Sequence, residues 1–144
     1  MINIEPIAKE KMIQDAVHSF PDECCGFLYG TEDAQGNRTV SEILVVHNAK
    51  EGDKRRRFEI SPKDYLQAEL FADEHNLQLL GVYHSHPNHP AIPSEQDRVA
   101  AQPYFSYVIL SIYDKEMKGL RSWRLNDAFE FEEEIINEHE HINQ

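Results

Sequence analysis

The residues that most restrict how this chain can fold are Gln78-Leu79-Leu80-Gly81-Val82-Tyr83, an apolar run that passes without a break into His84-Ser85-His86-Pro87. The run reads as a buried strand. Residues two apart on a strand share a face, so His84 and His86 can converge on one point. Proline cannot continue a central ladder, which places both histidines at the strand's end. Ser94-Glu95-Gln96-Asp97 follows closely. Ser94 has the character of a helix N-cap, and that puts Asp97 in the first turn with its carboxylate near the same strand end. Two imidazoles and a carboxylate are the donors of a catalytic zinc that keeps its fourth position for water. Each half also has a plain reading, since His-x-His is common and Ser-x-x-Asp is close to an ordinary capping box. In this order and this tightly spaced, the two halves read as a metal site.

Around that core the chain alternates helix and strand. Met12, Ile13, Ala16, Val17 and Phe20 follow helical spacing within a helix from Ala8 to Phe20, stopped by Pro21. Cys24 to Tyr29 is a short apolar run and Thr39 to His47 a β-branched alternating one, so both are expected strands, separated by a Gly36-Asn37 turn. Residues 48–57 are polar and read as a loop. Phe58-Glu59-Ile60 is expected as a short strand, and Ser61-Pro62 opens a helix to about Asn76. Tyr107 to Tyr113 and Leu120 to Leu125 are expected strands, joined as a hairpin around Lys118-Gly119. From Asp127 the chain turns acidic, with Glu130, Glu132, Glu133, Glu134, Glu138 and Glu140, which reads as a solvated face or tail. Phe129, Phe131, Ile135 and Ile136 could dock part of it as a terminal helix. A second pair, His139 and His141, would diverge by about 200° on a helix and reads as solvated tail.

The spacing His-x-His-Pro, six residues, Ser-x-x-Asp resembles the signature of the JAMM (MPN+) zinc metalloproteases. That family's other mark is an upstream glutamate in a Glu-x-Cys-Gly context, and Glu23-Cys24-Cys25-Gly26 is similar to it. The resemblance covers nearly the whole chain. It implies an α/β fold, a single MPN (JAMM) domain over 1–144 whose curved mixed β-sheet is flanked by helices. It implies one Zn2+ per chain held by His84, His86 and Asp97. It also implies Glu23 as a general base that bonds the zinc's water without ligating the metal, and Ser94 as a stabiliser of the oxyanion. Taken without the resemblance, Glu23 is an exposed loop acid beside Asp22 and Ser94 a pure cap. The family's matching cysteine, Cys25, is structural.

Length and charge narrow the partners. At 144 residues the chain is one domain. No stretch approaches the eighteen or so apolar residues of a membrane span, and Met1 to Pro6 lacks the features of a secretory signal. The only cysteines are the neighbours Cys24 and Cys25, which points to a reducing cytoplasm. A net charge of −12 makes nucleic acid an unsuitable partner. The single basic cluster, Lys54 to Arg57, could meet an acidic surface or be a solvated loop. His89 could bind a substrate carboxylate, add a metal contact, or simply be solvated.

The compact chain is similar to the small stand-alone bacterial members of the family, which implies cleavage after the C-terminal Gly-Gly of a ubiquitin-like sulfur-carrier protein. Two alternatives stay open: a zinc hydrolase of small amides or peptides, and a non-catalytic MPN scaffold. Filled ligand positions argue against the scaffold. No motif separates the two enzymes, because their specificity would lie in surfaces.

Overall fold

A computed structural model describes residues 1–46 and 58–137. Its elements in chain order are β1 (Ile2–Ile4), α1 (Pro6–Ser19), β2 (Cys25–Glu32), β3 (Arg38–Val46), α2 (Pro62–His75), β4 (Gln78–Pro87), α3 (Glu95–Ala100), β5 (Ser106–Tyr113), β6 (Glu116–Leu125), β7 (Phe131–Glu134) and β8 (Ile136–Asn137). The strands form one mixed sheet in the order β7-β6-β5-β4-β2-β3-β1-β8. Its two outermost strands, β7 and β8, are separated in sequence by Ile135 alone. The sheet therefore curls until its edges meet, and the Ile2 N–H closes the seam by donating to the Ile135 carbonyl at 2.9 Å.

Period-two alternation along β2 sorts its side chains onto the two faces. Leu28 joins Ala8, Met12 and Ala16 of α1, with Val40, Tyr83, Val108 and Leu110, in one cluster. Phe27 and Tyr29 join Ala68 and Ala72 of α2, with Val82 and Tyr107, in the other. Each helix thus covers one face, as the α/β reading requires. Ser61 caps α2 by accepting from the Asp64 N–H at 3.1 Å, Pro62 occupies the first turn, and Asn76 ends the helix in a left-handed conformation.

Three expectations need correction. Phe58-Glu59-Ile60 forms no strand; Phe58 and Ile60 instead pack into the α2 cluster while the chain runs on to its cap. The β5–β6 hairpin does not turn at Lys118-Gly119. It turns at Asp114-Lys115, both at positive φ (54° and 66°), the two-residue geometry that matches strand twist. Gly119 sits inside β6 opposite Ser111, beside a register shift that leaves Lys118 bulged. The acidic stretch is neither tail nor terminal helix over 131–137, because β6 carries the cations that its acids need. Arg124 meets Glu134 at 2.6 Å, Arg121 meets Glu133 at 2.5 Å, and the Ser106 and Ser122 hydroxyls both donate to Glu134. With its charge answered, Glu134 is buried and Phe131 packs on Tyr107. Finally, β1 is an element that the sequence did not announce. The second histidine pair, His139 and His141, and the basic cluster Lys54 to Arg57 lie outside the described residues, as does the 48–57 loop.

Gly26 shows why one position of the glutamate motif admits no side chain. A Cβ there would stand 2.2 Å from the Tyr83 ring and 2.5 Å from the Leu44 carbonyl oxygen. The ring lies across β2 so that the Tyr83 hydroxyl can donate to Asp15 of α1 at 2.7 Å. Gly26→Ala is therefore expected to destabilise the protein by about 1–3 kcal/mol, seen as a Tm several degrees lower in thermal denaturation.

Candidate metal centre

Three segments bring the site together. β4 supplies His84 and His86 on one face, with ring centroids 5.1 Å apart. Pro87 is the last residue of β4 and still lies beside Ile112 of β5. Its missing N–H causes no loss, because β2 has ended on that side: the last β2–β4 pair is Cys25 with His84. The Asn88 N–H then donates to the Ile112 carbonyl at 2.7 Å and turns the chain out of the sheet.

The second segment is α3, which is short and buries none of its own residues. Its place is fixed by its start, where the Asp97 N–H donates to Ser94 Oγ at 3.1 Å and the Ser94 N–H donates to Asp97 Oδ2 at 2.9 Å. The capping box is present, and it leaves the same carboxylate facing the two histidines, so the cap and a metal site are compatible in these residues. The box aims the Asp97 carboxylate, whose Oδ2 stands 3.0 Å from His86 Nε2 and whose Oδ1 stands 3.8 Å from His84 Nε2. The intervening loop is tied to the β5–β6 hairpin: Ser111 Oγ donates to the His89 carbonyl at 2.5 Å and Trp123 Nε1 to the Ala91 carbonyl at 3.1 Å.

The third segment precedes β2 and carries Glu23, which is buried, with Oε1 3.9 Å from His84 Nδ1. The exposed-loop alternative for Glu23 is thereby set aside. Glu23, His86, His89, Pro90, Ile92 and Ser94 line a cleft of about 400 Å³ that opens to solvent. His89 is itself exposed there.

The electrostatics favour a cation. His84 is fully buried and its ring stacks on Phe58 at 4.4 Å. Burial drives its pKa down to about 4, so the imidazole is neutral, with one ring nitrogen able to donate and the other able to ligate. Among the described residues neither His84 ring nitrogen has a hydrogen-bond partner, a costly arrangement for buried polar atoms. Burial works to raise the Asp97 carboxyl, but His84, His86 and the Ser94 N–H outweigh it and hold the group well below the usual carboxylate range. Asp97 is therefore ionised.

His86 Nδ1 lies 2.9 Å from the Pro90 carbonyl. A carbonyl only accepts, so Nδ1 carries a proton and Nε2 is the ring atom turned to Asp97. Such a pair of electron-rich atoms at 3.0 Å repels unless a proton or a cation lies between them. The three residues offer ligand atoms all within 4.8 Å of one another. Nitrogen and oxygen ligands about 2.0–2.2 Å from a tetrahedral zinc stand roughly 3.3 Å apart, so modest closure would complete the set. These residues fit a metal ion.

Comparison with known proteins agrees with this geometry. The family model "Prokaryotic homologs of the JAB domain" matches residues 6–126. A desampylase of Pyrococcus furiosus is 36% identical over 87 residues, which cover 60% of this chain and 57% of that protein. The match thus spans little more than half of that relative. A CysO-cysteine peptidase of Mycobacterium tuberculosis is 29% identical over 125 residues, covering 86% of this chain and 82% of its own length. The solution structure of a Desulfitobacterium hafniense protein superposes with a TM-score of 0.82 at 29% identity, covering 100% of this chain and 99% of that one. The family match includes every one of the converging residues, from Glu23 to Asp97, and the chain belongs to the prokaryotic JAB-domain family.

Proposed function

We propose that this chain is a zinc peptidase or isopeptidase that hydrolyses the amide bond after the C-terminal Gly-Gly of a ubiquitin-like sulfur-carrier protein. One observation carries the reading: His84, His86 and Asp97 converge, with both buried ring nitrogens of His84 lacking a partner among the described residues, beside a cleft that also contains Glu23 and Ser94. Similarity to proteins named as a desampylase and a CysO-cysteine peptidase supports hydrolysis of this general kind. We read 1–144 as one domain. No helix among the described residues is long and apolar enough to cross a membrane. Cys24 and Cys25 are free thiols, which supports the cytoplasm as its compartment.

His84, His86 and Asp97 would hold the zinc ion, which would supply Lewis acidity and lower the pKa of water to about 7. The rest is done by the chain's own groups. Glu23 takes a proton from the attacking water on a carboxylate oxygen and delivers it to the departing amine nitrogen as the C–N bond breaks. Ser94 accepts its capping bond through a lone pair, which leaves its O–H able to donate to the carbonyl oxygen as that atom gains charge. The Pro90 carbonyl holds the His86 ring in one tautomer. His89, anchored through its carbonyl, faces the same cleft and can donate to a carboxylate on the leaving group. Glycines in the tail let an extended backbone pass close to these groups.

Purified protein incubated with a sulfur-carrier protein extended beyond Gly-Gly by one amino acid should release the carrier ending in Gly-Gly, as read by mass spectrometry. Replacing both glycines with bulkier residues should slow release by two orders of magnitude or more, on the order of a positioning error at the reacting bond. Comparable cleavage of generic peptides, with no preference for the glycine pair, would identify a hydrolase of small amides or peptides instead. No hydrolysis by the zinc-loaded protein would leave a scaffold.

A further inference from the structure

The serine between the two histidines faces away from them. Tyr83 and Ser85 occupy the side of β4 opposite His84 and His86, as strand alternation demands. Ser85 is wholly buried. Its hydroxyl oxygen accepts from the Cys24 N–H at 2.9 Å, and its own N–H donates to the Cys24 carbonyl at 3.2 Å. Cys24 lies just outside β2, one step beyond the last ladder pair, so this two-point clamp extends the grip of β4 past the end of the regular pairing.

The clamp acts on a particular peptide unit. The N–H that Ser85 holds belongs to the planar Glu23–Cys24 amide, so fixing it fixes the Glu23 Cα and carbonyl as one rigid group. Glu23 itself belongs to no strand. The Cys24 clamp is therefore the point from which the Glu23 side chain is aimed toward His84, 3.9 Å away. A buried hydroxyl is costly unless bonded, and packing alone would be served by alanine. We propose that Ser85 is a positioning residue for Glu23, linking through one hydrogen bond the strand that carries the metal ligands to the residue that moves the proton. This rests on the reading of Glu23 as proton carrier given above.

The test is a double-mutant cycle of Ser85→Ala and Glu23→Gln, assayed on the carrier conjugate carrying one amino acid beyond Gly-Gly. Amide exchange of Cys24 is followed by NMR in the metal-free protein. Ser85→Ala is expected to retain wild-type zinc and KM while kcat falls roughly tenfold to a hundredfold, the scale of a small misplacement at a reacting centre. In the Glu23→Gln background the same change should alter turnover less than about twofold, because no carboxylate remains to be placed. The Cys24 amide should exchange about tenfold faster in Ser85→Ala, with Tyr29 unchanged. Equal losses in both backgrounds, or wild-type kcat in Ser85→Ala, would overturn the proposal. Wild-type turnover in Glu23→Gln alone would instead remove the proton role of Glu23, a separate failure. Should Ser85→Ala not fold, Ser85→Cys, of similar volume and a weak acceptor, enters the same cycle under the same criteria.

Discussion

Glu23→Gln is expected to leave the metal bound and to lower turnover by roughly two to four orders of magnitude. The amide preserves the shape of the carboxylate and its buried setting but cannot take up a proton at neutral pH. Glu23 stands nearest to Nδ1 of His84, whereas the Asp97 oxygens stand at the Nε2 atoms of both histidines. In the proposed reading one carboxylate, Asp97, completes the ligand set and the other, Glu23, stands beside it. Metal analysis and steady-state kinetics on the same preparation decide the matter. Loss of zinc from the variant would make Glu23 a ligand, and undiminished turnover would deny it any part in proton transfer.

The second large effect concerns Asp97, which has two tasks that substitution can separate. Asp97→Asn keeps an oxygen to accept the Ser94 N–H, so the α3 cap survives, but it removes the negative charge opposite His84 and His86. Zinc content should fall to background and activity with it, while the melting temperature of the metal-free protein stays near that of the wild type. Asp97→Ala should lose the metal and a further ~1 kcal/mol of stability from the broken cap. Chelator should lower the Tm of the wild type and leave both variants unmoved, because an ion that binds only the folded state stabilises by about 4 kcal/mol at a thousand times its Kd. A zinc-replete Asp97→Asn enzyme with normal kinetics would show that the carboxylate does not hold the ion.

The site was more legible than the sheet. His84, His86 and Asp97 announce themselves because strand period, proline and N-cap each constrain local geometry over a few residues. Those local rules hold in the three-dimensional arrangement. Glu23 is legible only by resemblance, since nothing in Pro21-Asp22-Glu23 says that the loop is buried. Ser85 escaped attention because its partner, the Cys24 amide, lies 61 residues away. The acidic strands were misread for a related reason. Glu130, Glu132 and Glu133 do form an exposed acidic face, but Arg124 of β6 answers the charge of Glu134 and lets that residue be buried in a strand where a tail was expected. At the β5–β6 hairpin the visible glycine misled: Asp114 and Lys115 adopt the left-handed turn, while Gly119 serves a bulge inside the strand.

The meeting of β7 and β8 at Ile135 sets an order on synthesis. Of the described strands β1 comes first in the chain, and β3 covers one of its flanks early, but the other flank stays open until Ile136 and Asn137 arrive. A nascent or clipped chain that stops before Phe131 would leave both β6 and β1 with raw edges, and unpaired edges invite pairing with other chains. One short stretch near the C-terminus thus guards the molecule against self-association at two places at once. Its exposed acid Glu132, whose side chain meets only the Asn126 amide among the described residues, adds negative charge at that edge.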